Sequence, residues 1–343
     1  MSGKSGRSIA ITKPRSWKQT LFTWDSILVI IFILVNIMNA CISPKYLSVP
    51  GLFTATSSFL EKAFIVLPMA CILIMGDIDI SVGSTVALSA VFMAMSYNAG
   101  VPMGVAILIC LLTGTVCGFM NGMILARFTE LPPMIVTLAT QIIYRGIAEI
   151  CLGDQASGGL TKVAWFSNLY WGSLGPVPYM FIVFVILAVF MGLLIHKTTF
   201  GRYLYAIGSN RVTAQYSGIG VQRIRCIVFT MTGTFCAITA IFLAARMGST
   251  RSNIAVGYEM EAISMVVLGG ISTAGGKGRF PGAIIAIFII GFLRYGLGLI
   301  NVSSQVMLVI IGGLLVLAVM LPKLNFKELL KNQNTFRKER KSL

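Results

Sequence analysis

Residues Pro102 to Ala126 read PMGVAILICLLTGTVCGFMNGMILA, 25 positions without a charge. As a helix rising about 1.5 Å per residue, this run is roughly 37 Å long, and the hydrocarbon core of a bilayer is about 30 Å thick. It reads as a membrane span. Outward from it, further apolar windows fall at 26–42, 63–76, 82–97, 133–151, 178–195, 226–245, 259–271, 282–300 and 304–321. The pattern predicts an all-α, polytopic helical membrane protein of about ten transmembrane helices. Windows 63–76 and 259–271 are short and are expected to be broken or re-entrant.

Composition agrees. The 343 residues are 56% hydrophobic and 11% charged, whereas a soluble domain carries about 25% charged residues to coat its surface. The net charge of +16 invites a nucleic-acid reading until the charges are placed. Five lysines and arginines precede Trp24, five lie in 197–225 and seven in 323–343; with Arg127, Lys277 and Arg279 these make 20 of the 27. Ten spans put both termini and the loops 127–132, 196–225 and 272–281 on one side. The loops left for the other side hold Lys45, Lys62, Lys162, Arg246 and Arg251. Such a bias is the positive-inside rule, with both termini cytoplasmic and the loop 152–177 outside. No basic segment is interleaved with aromatics as base stacking requires, so no nucleic-acid partner is expected. The expected organisation is a basic cytoplasmic arm over 1–25, a membrane domain over 26–322 with an inside loop at 196–225, and a basic tail over 323–343, which is expected to lie against anionic headgroups of the bilayer.

Nothing points to catalysis, a cofactor or a metal. Gly3-Lys-Ser5 lacks the strand and upstream glycine of a phosphate loop, and Gly275-Gly-Lys-Gly278 lacks the dinucleotide-binding spacing. The seven cysteines are scattered without a C-x-x-C pair. His196 ends a span with no ligating neighbour in sequence. Gly114, Gly118 and Gly122 recur every fourth residue, which suits close packing of helices within the chain.

Charge at membrane depth needs a reason. Asp77, Asp79 and Ser81 lie in Gly76-Asp-Ile-Asp-Ile-Ser-Val-Gly83, a glycine-flanked polar break between two short apolar runs. Such backbone survives at depth when buried in protein or lining a wet cavity, and Asp79 or Ser81 also suits a cap on the next helix. Arg145 and Glu149, four apart, are placed for an ion pair on one helix face. Glu259 and Glu261 open the eighth window, where carboxylates favour a helix N-terminus. Arg294 has no acidic partner within a turn of its own helix, so it faces the bundle interior or snorkels outward. With Asn121, these make Asp77, Asp79, Ser81, Asn121, Arg145, Glu149, Glu261 and Arg294 the candidate residues of a translocation path or gate. In the inside loop, Asn210 followed by Arg211, Thr213 and Ala214 and then by Ser217, Gly218 and Ile219 describes a capped surface helix of about two turns stopped by glycine.

Six segments carry a resemblance. They are Gly76-Asp-Ile-Asp-Ile-Ser-Val-Gly-Ser84, Gly118-Phe-Met-Asn-Gly122, Leu131-Pro-Pro-Met-Ile-Val-Thr-Leu138, Tyr144-Arg-Gly-Ile147, the loop from Phe200 to Ile219, and Glu259-Met-Glu-Ala-Ile-Ser-Met-Val-Val-Leu-Gly-Gly270. In this order they resemble the permease subunits of ribose-, xylose-, arabinose- and rhamnose-type ATP-binding-cassette importers, autoinducer-2 importers included, over about residues 50–322. Asp154-Gln-Ala156 is similar to the rhamnose and autoinducer types. The resemblance implies import of a monosaccharide or a related polyol-like molecule across a bacterial inner membrane. It also implies a separate ATPase subunit, an extracellular or periplasmic sugar-binding protein, and a second permease copy or a paralogous permease. It makes Asn210, Arg211, Thr213, Ala214, Ser217, Gly218 and Ile219 the helix that couples to the ATPase. This chain departs from the family at Thr213-Ala214, where members often have Ala-Ala, and at Tyr295, where they often have Asn. The alternative, an ion-coupled secondary transporter, would need buried acids in two inverted halves. Asp79 and Glu261 can be cast that way, but the halves show no sequence repeat.

Overall fold

The computed structural model describes residues 24–153 and 155–320. The expected basic arm, up to residue 23, the tail from 323, and Asp154 of the Asp-Gln-Ala segment lie outside them. Among the described residues the fold is helical apart from one two-stranded hairpin. In chain order the helices are α1 (Trp24–Ile42), α2 (Val49–Ser57), α3 (Leu60–Ile74), α4 (Val82–Asn98), α5 (Met103–Arg127), α6 (Pro133–Leu152) and α7 (Ala164–Trp171). They continue with α8 (Tyr179–Lys197), α9 (Thr199–Ser209), α10 (Arg211–Tyr216), α11 (Val221–Met247), α12 (Tyr258–Leu268), α13 (Phe280–Leu299) and α14 (Ser304–Met320).

All ten apolar windows form helices, though not all are full spans. Among the described residues α5, α6, α8, α11 and α13 are long and apolar enough to cross alone, and α2 with α3, bent by 62°, makes a sixth. The two windows expected to be irregular are so. One is the bent pair, and the other is α12, whose 11 residues rise about 16 Å, half a hydrocarbon core.

The centre is built from helices apolar on every side. From Ala63 to Ile74 each residue of α3 is buried, as an all-round apolar helix must be when other helices surround it. The most extensive helix pair is α5 and α11, and glycine lets the two backbones meet. A Cβ on Gly233 would lie 2.1 Å from the Gly114 carbonyl oxygen, and one on Gly118 2.3 Å from that of Phe229. The Gly114, Gly118 and Gly122 spacing therefore serves packing within the chain.

Chain reversals gather at two ends. At one, Trp24 Nε1 donates to the Leu268 carbonyl (3.0 Å), Gly276 N to that of Ile74 (2.8 Å) and Tyr205 Oη to that of Gly278 (3.0 Å). At the other, Asn98 Nδ2 donates to Ser157 Oγ (2.7 Å), Ser157 pairs with Thr250, and Tyr170 Oη donates to the Ser57 carbonyl (3.1 Å). The segment 152–177 packs on this second end, with α7 and the strand β1 (Ser173–Leu174), which pairs with β2 (Val177–Pro178).

Candidate translocation and coupling sites

The break after α3 begins where Gly76 takes φ +82°, a left-handed stop that lets Asp77 N reach back to the Ile72 carbonyl (3.1 Å). Residues 77–80 then run without helix, and their backbone groups find side chains. Thr137 Oγ1, in the second turn of α6, lies 3.2 Å from Ile80 N and 3.3 Å from the Ile78 carbonyl oxygen. Asp79 Oδ1 accepts from Ser81 N (2.9 Å) and from Ser81 Oγ (2.6 Å), a turn that leads into α4; no side chain caps the first turn of that helix, so the cap expected of Asp79 or Ser81 is not formed. Asn121 Nδ2 donates to Ser81 Oγ (2.8 Å) and Tyr144 Oη donates toward Asn121 Oδ1 (3.0 Å). Three expected path residues, Asp79, Ser81 and Asn121, thus form one buried chain of hydrogen bonds. Tyr144 belongs to it as well, and Thr137 stands beside it on the backbone of Ile78 and Ile80. As a neutral alcohol and a neutral phenol in apolar helices, they gave no charge signal in the sequence.

Asp77 faces the inside loop. There α10 is capped by Asn210, whose Oδ1 accepts from Thr213 N (2.9 Å). The helix stops at Gly218 (φ +83°), where Ile219 N reaches the Ala214 carbonyl (3.1 Å). Both ends match the sequence reading. The faces are a refinement, because Ala214 is buried against the bundle while Val212, Thr213, Gln215, Tyr216 and Ser217 look out. Arg211, the first residue of α10, donates from Nη2 to Asp77 Oδ1 (2.6 Å). Arg225, at the foot of α11, donates from Nε to Asp77 Oδ2 (2.7 Å) and from Nη1 to the Leu125 carbonyl at the end of α5 (2.8 Å). Behind α10, Gly208 of α9 presses on the break: a Cβ there would lie 1.9 Å from the Ile74 carbonyl oxygen. Burial raises the Tyr205 phenol above its ordinary value, so it stays a donor to Gly278.

A second charged cluster sits between α3, α11, α12 and α13. Glu61 accepts from Arg246 Nη1 (2.6 Å) and from Tyr258 Oη (3.4 Å). Glu261 is held by Lys62 Nζ (3.0 Å) and by Arg294 Nη1, while Lys62 Nζ also stands 4.5 Å over the Tyr258 ring. Arg294 therefore faces the interior and has its acid on another helix. Lys62 and Arg294 also line an open cleft of about 280 Å³ with Phe59 and Tyr295. Sequence reasoning missed Glu61, and it assigned Lys62 and Arg246 to loops because each stands at the margin of an apolar window. One expectation fails here. Arg145 does not pair with Glu149, which is exposed; its Nη1 donates to the carbonyls of Ser252 (2.5 Å) and Ile254 (2.8 Å), closing the turn before α12. Those two carbonyls hold the guanidinium from a distant loop, in place of a partner on the helix's own outer face. Glu259 shares Gln141 Nε2 (3.5 Å) and fills the space that Gly83 leaves, where a Cβ would lie 2.5 Å from Oε2.

No group of three or more His, Cys, Asp or Glu fit for a metal exists among the described residues. The arrangement offers polar, hydrogen-bonded breaks inside an apolar bundle. It suits passage and movement of helices.

Comparison with known proteins agrees. Residues 52–319 match the family described as branched-chain amino acid transport system / permease component. The autoinducer 2 import system permease protein LsrD of Yersinia pestis (strain Pestoides F) is 33% identical over 303 residues, covering 87% of this chain and 90% of the relative. The protein of the same name from Yersinia pseudotuberculosis serotype O:3 (strain YPIII) matches to the same extent. No solved structure matches. The chain belongs to the permease components of ATP-binding-cassette importers of the sugar and autoinducer-2 type, transport subunits and not enzymes.

Proposed function

We propose that this permease carries a monosaccharide or a related polyol-like molecule, of the ribose, rhamnose or autoinducer-2 class, into the cytoplasm of a bacterium. The membrane domain over 26–322 works with an ATPase subunit on the side of α10, a binding protein on the side of 152–177, and a second permease, identical or paralogous. Both termini are cytoplasmic. The observation that carries this reading is α10 itself. It is a short helix with a side-chain cap and a glycine stop, standing on the basic side with Val212 and Tyr216 exposed, 63% and 89%. A rigid apolar knob on a water-facing loop suits insertion into a socket of another protein. Asn210, Arg211, Thr213, Ser217, Gly218 and Ile219 shape it, and Ala214 seats it.

The path residues are supported as structural and gating groups and not as ion carriers. Glu261 is already matched by two cations, and Asp79 by two donors from Ser81.

Gly218→Pro tests the docking. Proline fixes φ near −65° and removes the N–H that now meets the Gln215 carbonyl. The variant is expected to insert in the membrane and to lose the ATPase on purification. Retention of the ATPase with ATP-driven uptake unchanged would reject the assignment. Calorimetry of the partnering binding protein against ribose, rhamnose and autoinducer-2 decides the substrate, and binding of none of the three would reject the class.

A further inference from the structure

We propose that Asp77 is the joint through which α10 drives α6, with Arg211 as its moving side and Arg225 as its fixed side. The inference rests on the docking of an ATPase at α10. Three observations carry it. The first is asymmetry. The Asp77 carboxylate is shared by two guanidinium groups of different standing: the Arg225 side chain is 3% exposed and tied to α5 through Leu125, whereas that of Arg211 is 37% exposed and stands on the docking helix. A bond at the surface can lengthen or break, while the buried bidentate one holds the carboxylate in place. The second is continuity. Asp77 lies next to Ile78, whose carbonyl, with Ile80 N, meets Thr137 on α6. Force on Arg211 therefore reaches α6 through the non-helical residues 78–80, without passing through a helix. The third is what α6 offers to move. Its outer face is open at Ile135, Leu138, Ile142 and Ile143, and 28% of its apolar window is buried, against 67% for α11. A helix that packs on the bundle along one face has fewer contacts to give up on moving than a core helix surrounded on all sides.

Arg211 and Thr137 are positioning residues by this account, and each has a conservative rescue. The test uses the permease purified with its ATPase in nanodiscs, with Cys41, Cys151 and Cys226 replaced and a single reporter cysteine at Ile135. The remaining native cysteines are buried. The rate of labelling by a charged maleimide is read with and without trapping by ATP and vanadate. Trapping is expected to change the rate in the parent. Arg211→Gln is expected to keep the ATPase bound and to shrink that change about tenfold, the size of a typical coupling between sites, while Arg211→Lys keeps most of it. Thr137→Val is expected to shrink it likewise and Thr137→Ser to preserve it. An unchanged response in Arg211→Gln or Thr137→Val overturns the joint, as does a parent whose labelling ignores trapping. Loss of the ATPase from Arg211→Gln alone also overturns it, because Arg211 is then a docking contact. Failure of the parent to bind any ATPase is a separate result, and it sinks the reading on which the joint rests.

Discussion

Glu261 is the residue whose removal separates pairing from packing. It neutralises Lys62 on α3 and Arg294 on α13 at once, and its own side chain is 6% exposed. Glu261→Gln leaves two cations facing each other inside the bundle, and breaking such a pair from one side costs about 3–5 kcal/mol. Arg294→Gln leaves Lys62 and Glu261 matched, so the loss should be well under half of that. Thermal unfolding in detergent should therefore place Glu261→Gln lowest, with Arg294→Gln between it and the parent; the reverse order would mean that Arg294 matters more than the balance of charge. Little of this network was legible in the sequence. The acid and the arginine both stood out as charges at depth, but Lys62 and Glu261 are 199 positions apart, and no periodicity links such distances. Asp77 repeats the lesson, with arginine partners 134 and 148 positions away. What local rules did reach was Asn210, Gly218 and the glycine-flanked break, because capping, glycine stops and helix breaks are settled within a few residues. Arg145 and Glu149 mark the limit of that method. Helical spacing makes a pair available, and carbonyls from a distant loop decided otherwise.

At the scale of elements, the hold of α5 on α11 depends on the absence of side chains. Gly233→Leu would drive a Cβ to 2.1 Å from a backbone oxygen, and backbone does not step aside as a flexible side-chain tip does. The variant is expected to insert but to yield protein that aggregates on extraction, as read by size-exclusion chromatography. Gly146→Ala is the control, since a Cβ there meets nothing within 4 Å, and it should elute as the parent does. A Gly233→Leu variant that elutes as a sharp parental peak would show that the two helices do not have to approach this closely. The sequence spacing pointed to the glycine face of α5. It did not reveal α11 as the partner, because Gly233 stands alone on a helix that otherwise presents ordinary side chains.

For the whole molecule, the reversals at two ends give the proposed orientation a direct check. With Cys41, Cys151 and Cys226 replaced, cysteines placed at Ser173 and at Glu130, both exposed, report opposite ends. In intact cells an impermeant maleimide is expected to label position 173 and to leave position 130 unlabelled until the cells are broken. Equal labelling of both in intact cells would overturn the orientation. Ser157, although in the same outer segment, is a poor reporter because it is buried in a bridge with Thr250. Fold class was readable from composition and windows alone, since apolar length is a local property. The shortness of α12 was readable in the same way, because the window 259–271 is itself too short for a full span.

That shortness has a consequence for the order in which the protein is made. When α12 leaves the ribosome it is an 11-residue apolar stretch carrying Glu259 and Glu261, a poor candidate for independent insertion into lipid. One counter-charge for Glu261, Lys62, has been in place since early in synthesis, but the other lies 33 residues downstream on α13. The nascent chain therefore cannot complete this part of its interior until Arg294 has been translated, so α12 is expected to settle together with α13 and not before it.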